Sequence, residues 1–139
     1  MSWVVPPRFG LNSLVLGIPL TLLLAGCAGS QDAAAGSAAQ DLLDAVRDGD
    51  GAAACAALAA PTREELEQTS GKACPAAVLE EDLSEGTGDV RVQVFDSMAQ
   101  VQVGAETLFL SRFDGTWLVV AAACTDVPTE PYDCSIGLP

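Results

Sequence analysis

Apolar residues crowd together near the amino terminus, then fall at helical spacing, and finally alternate one by one. The crowded stretch, "LNSLVLGIPLTLLLAG" at Leu11–Gly26, is 16 residues long and includes Asn12, Ser13 and Pro19. A bilayer-spanning helix needs about 20 predominantly apolar residues, so this run falls short of one. The small and polar "AGSQDAAAGSAA", Ala28–Ala39, breaks the pattern and reads as a flexible tether over 27–37. Its alternative is the start of an alanine-rich helix. In "QDLLDAVR", Leu42, Leu43 and Val46 share one helical face, and Gly49 is a natural stop. Asp50 is placed to cap a second helix, "GAAACAALAA", which Pro61 ends. "TREE" at Thr62–Glu65 fits a capping box opening a helix that stops at Ser70-Gly71. "CPAAVLEEDL" adds a short helical stretch with Pro75 in its first turn.

From Asp89 the period becomes two. "VRVQVFD" alternates Val90, Val92 and Val94 with Arg91, Gln93 and Phe95, and "MAQVQVG" repeats the pattern. "ETLFLSRF" and "TWLVVAAAC" follow as more apolar strands, joined by short links at Asp96-Ser97, Gly104-Ala105 and Asp114-Gly115. Asp-Gly tolerates the positive φ of a two-residue hairpin turn. The predicted fold class is α+β, with N-terminal short helices packed on a C-terminal four-stranded antiparallel meander.

Composition narrows the function. Six basic residues face nineteen acidic ones, which disfavours binding to nucleic acid or to anionic lipid. Histidine is absent, so Ser-His-Asp and Cys-His catalysis and His-ligated zinc are excluded.

Arg8 and the amino terminus precede the apolar run, which ends in small residues, the order of a secretory signal peptide. "LAGC" at Leu24–Cys27 resembles the lipobox of bacterial lipoproteins at all four positions, although a single arginine is a weak basic region for that family. The resemblance covers only the leader. It implies export, transfer of a diacylglyceryl group to the Cys27 sulfur and cleavage before Cys27. The domains expected are then a signal peptide over 1–26, the tether over 27–37 and one extracytoplasmic domain over 38–139. Localisation would be the extracytoplasmic face of the cell membrane, with the lipid on Cys27 as membrane partner.

Setting Cys27 aside leaves an even set, Cys55, Cys74, Cys124 and Cys134. Export favours disulfides, and three connectivities are open. Cys55–Cys74 and Cys124–Cys134 are favoured, clamping the second helix and tying the tail "TDVPTEPYDC" to the last strand. Neither a C-x-x-C pair nor a calcium-loop frame occurs; "DGDG" at Asp48–Gly51 and the acidic "LEEDLSEGTGD" both fail the latter pattern. No metal and no cofactor are therefore expected.

Catalysis would have to use carboxylates, Tyr132 or backbone groups. An inward-facing Asp96 or Glu106 is a candidate base, and Phe95, Phe109, Phe113 and Trp117 are candidate pocket walls or core. Arg91 and Arg112 could pair with these acids or hold an anion. Helices followed by a curved meander ending in "DGTWLVVAA" are similar to the cystatin-like folds of the nuclear transport factor 2-like superfamily, over residues 38–125. That resemblance implies a cone-shaped sheet and admits both enzymes and binding modules. The function expected is a non-catalytic, lipid-anchored module binding an envelope protein or small ligand. Alternatives are a carboxylate-dependent isomerase or dehydratase, and a structural subunit of an envelope complex.

Overall fold

The computed structural model describes residues 26–129 and 131–137. Within them four helices come first: α1 (Gly26–Arg47), α2 (Gly51–Ala57), α3 (Ala60–Ser70) and α4 (Cys74–Ala77). A 3-10 turn at Val78–Glu80 ends the helical half. The strands are β1 (Val90–Phe95), β2 (Met98–Val103), β3 (Glu106–Phe113), β4 (Thr116–Thr125) and β5 (Asp133–Gly137). They form one antiparallel sheet in sequence order. The fold is α+β, helices before strands.

The helical half departs from the pattern-based expectation in three respects. The stretch 27–37, expected as a tether, is the first half of α1. Ala35, Ala39, Leu42, Leu43 and Val46 continue one stripe at spacings of three and four residues, and all but the half-buried Val46 are buried. Alanine and glycine carry little hydrophobic signal, but they let the helix lie close to the sheet. A Cβ on Gly36 would stand 3.2 Å from a Val92 methyl.

Pro61, expected to end the second helix, instead lies in the first turn of α3, where its missing N–H costs nothing. α2 stops earlier because Leu58 turns extended and forms a parallel bridge with Val119 on the open flank of β4. The Ala59 N–H then donates to the Val119 carbonyl at 2.8 Å. The Thr62–Glu65 capping box does not form: Ala59 is the N-cap residue, and the Thr62 hydroxyl donates to the Val120 carbonyl at 3.1 Å. Asp50 does cap α2, accepting from the Ala53 N–H at 3.0 Å.

In the strand half, both hairpin turns expected at Asp96 and Asp114 are present, with positive φ of 56° and 48°. The sheet has five strands where the pattern predicts four. Ile136, fully buried opposite Ala122, is the sole large apolar residue anchoring "DCSIG", too little alternation to announce a strand.

One face of the sheet packs on the helices through Val101, Val103, Leu108, Leu110, Trp117 and Val119. Two disulfides staple this core, Cys55–Cys74 joining α2 to α4 and Cys124–Cys134 joining residues directly opposed on β4 and β5. α2 also lies hard against α4, since a Cβ on Gly51 would be only 2.0 Å from the Pro75 carbonyl oxygen. Only glycine fits there.

Candidate functional site

Glu106 opens β3 and faces the helices, since it opposes Val103 in the register and is only 5% exposed. One carboxyl oxygen accepts from the Ala123 N–H at 2.7 Å, and the other accepts from the Ser84 N–H at 3.1 Å. Ala123 lies where β4 takes a left-handed kink, with φ 52°. Ser84 belongs to the segment joining the helices to β1. The carboxyl therefore ties the start of β3 to the kink of β4 and to the segment before β1. Both of its oxygens are engaged by backbone, so its local role is to brace. A buried Ser84 hydroxyl oxygen without a partner completes this corner.

Asp96 occupies the β1–β2 turn, at the opposite end of the sheet from Glu106. It is exposed, as a turn acid ordinarily is. The two candidate bases are thus separated by the length of the sheet and do not form a pair.

The aromatic candidates separate as well. Trp117 belongs to the helix-facing core, 5% exposed, whereas Phe95, Phe109 and Phe113 lie on the opposite sheet face. Phe109 meets Tyr132 edge to face at 5.1 Å, and the Tyr132 hydroxyl accepts from the Gln100 side chain at 3.1 Å. The tail before β5 is folded back over the outer sheet face by these contacts. Tyr132 is held by neighbours that explain its position without catalysis.

Arg112 lies over Trp117, 5.7 Å from the ring centroid. Its guanidinium donates to the Gln31 side-chain oxygen at 2.9 Å, and the Trp117 indole N–H donates to the same oxygen at 3.2 Å. Gln31 thus fastens the first third of α1 to the ends of β3 and β4. Arg91 is on the other sheet face and on β1, so the two arginines do not converge. Sequence reasoning missed Gln31 by placing it in a tether. The signal was its position four residues before Ala35 on the stripe that continues to Ala39 and Leu43.

Among the described residues, no group of three or more Cys, Asp or Glu is placed to hold a metal ion. Open grooves line the surface among the described residues, three of them bearing on the candidate positions. One, of about 380 Å³, runs between α1 and β1 and is lined by Asp32, Gly36, Gln40 and Val92. A second lies beside the Cys55–Cys74 bridge, and the third is between α3 and Phe113. Glu106 lines none of these three. Residues 1–25 and the Cys27 side chain lie outside the described structure, and so do the signal peptide and lipobox expectations that rest on them. No described helix is long and apolar enough to cross a membrane. No family model, curated protein or solved structure matches this chain.

Proposed function

We propose that the protein is a lipid-anchored extracytoplasmic module that binds a partner and carries out no catalysis. The observation that supports it most strongly is the cysteine ledger. Cys55, Cys74, Cys124 and Cys134 are spent on two disulfides, leaving Cys27 no cysteine in the chain to pair with. Disulfides favour an oxidising compartment outside the cytoplasm. The odd thiol falls in "LAGC", directly after a short apolar run, where a lipoprotein carries its diacylglyceryl group. Two acyl chains, at about 0.8 kcal/mol per buried CH₂, are ample for stable anchoring.

A binding role is favoured over an enzymatic one by Glu106. The buried carboxyl that an isomerase or dehydratase would need has both oxygens committed to backbone N–H groups. A base must reach its substrate's proton within hydrogen-bond distance, and here that position is taken.

Intact mass of the protein extracted from its native membranes tests the anchor. The expected species begins at Cys27 and carries diacylglyceryl mass. A chain retaining residues 1–26 with an unmodified Cys27 overturns the reading.

A further inference from the structure

The described part of α1 already includes Cys27, so the backbone runs from Cys27 into the domain as continuous helix. Gln31, four residues on, is bonded to Arg112 and Trp117. At 1.5 Å rise per residue, Cys27 stands about 6 Å along the helix axis from that contact. Arg112 and Trp117 are themselves one residue from the β3–β4 turn. The start of α1 and the turns at Asp96-Ser97 and Asp114-Gly115 therefore share one end of the molecule.

That end carries the largest exposed apolar side chains. Phe95 is 62% exposed, Met98 51% and Phe113 43%. Phe95 and Met98 are cross-strand partners, and Met98 in turn opposes Ser111, two residues from Phe113 on the same strand face. All three project from the face opposite α1. Further down the same face Tyr132 covers Phe109, and α3 flanks Phe113 across an open groove, leaving its ring partly exposed.

We propose that this apolar cluster is a bilayer contact: Phe95, Met98 and Phe113 enter the headgroup–acyl boundary when Cys27 carries its lipid. The inference rests on the lipid-anchor reading and adds an orientation to it. A helix that contains the acylation site and is pinned at Gln31 holds the domain against the membrane with this end down. Amphipathic surfaces with aromatic and aliphatic side chains bury them shallowly at that boundary. Asp96 and Asp114, in the turns beside the cluster, stay among the headgroups and favour a zwitterionic surface over an anionic one.

The test reconstitutes the protein as processed in its native membranes in phosphatidylcholine vesicles containing a phosphatidylcholine with a photoactivatable acyl chain. Peptide mapping then locates the lipid adducts, and intact mass reports acylation of Cys27 in the same sample. Adducts at 95–98 and 113 should exceed those at the Gly104-Ala105 turn by at least about fivefold, as shallow burial of one end requires. Phe95→Ser and the triple variant F95S/M98S/F113S should lose that excess while keeping their circular dichroism and Tm. Acylated protein with equal labelling at both ends overturns the contact and leaves the anchor standing. So does crosslinking of two copies through 95–98, which makes a second chain the cover. Unacylated Cys27 overturns both.

Discussion

Where β2 turns into β3, side chains and a disulfide cross-tie the sheet; where β1 turns into β2 and β3 into β4, the outer face exposes Phe95, Met98 and much of Phe113. At the first end Glu106 joins β3 to the kink of β4 and to the segment before β1. The Cys124–Cys134 bridge closes the neighbouring strand pair, and the Gly104 N–H donates to the Asp89 carbonyl at 3.0 Å. At the second end the ties are on the helix side, through Gln31, while Phe95, Met98 and Phe113 face outward. The side-chain ties to the strand ends differ in kind, a buried carboxylate and a disulfide at one end and Gln31 at the other. The large exposed apolar side chains of the strands' outer face cluster at the second. A domain with a modest, alanine-rich core can keep such a surface only because the staples elsewhere hold the fold.

The comparison can be broken at the tied end. Glu106→Leu strands two part-buried N–H groups, each worth about 1–3 kcal/mol at most, so a loss of roughly 3 kcal/mol is expected from urea unfolding. A loss below about 1 kcal/mol would mean that water replaces the carboxyl and that the brace is incidental. Opening the second bridge with C124S/C134S comes next, with about 3 kcal/mol expected for a loop of this size and a Tm lower by more than about 10 °C. An unchanged Tm would show that the β4–β5 ladder holds the tail without it. The smallest effect sharpens the picture. Ser84→Ala removes a buried hydroxyl oxygen that has no partner while keeping the N–H that Glu106 needs. It should be neutral or gain about 1 kcal/mol, whereas a loss of that size would reveal a hydrogen bond to the hydroxyl.

The strand half was far more legible than the helical half. Alternation of Val90, Val92 and Val94, with Asp-Gly between two apolar runs, is a strong local signal, and β1 to β4 follow it closely. The early part of α1 offered only alanine, glycine and serine, which do not declare a face until a sheet is present to bury one. The roles of Pro61 and Thr62 are hidden from local pattern for a related reason. Their partners, the extended Leu58–Ala59 and the Val120 carbonyl, come from contacts made across the chain. Glu106 and Ala123 are likewise 17 positions apart, and no spacing rule links an acid at a strand start to a kink in the next strand.

By itself the sequence determined the α+β order, the hairpin turns, the excluded histidine chemistry and a lone cysteine after a short apolar run. These follow from local periodicity, turn chemistry and counting, which need no partner. Only the tertiary structure decided that the candidate tether is helix, that Glu106 braces the fold, and that the exposed Phe95, Met98 and Phe113 share an end with the start of α1. Those features arise from which distant segments meet, and burial and hydrogen-bond partners exist only once they have met.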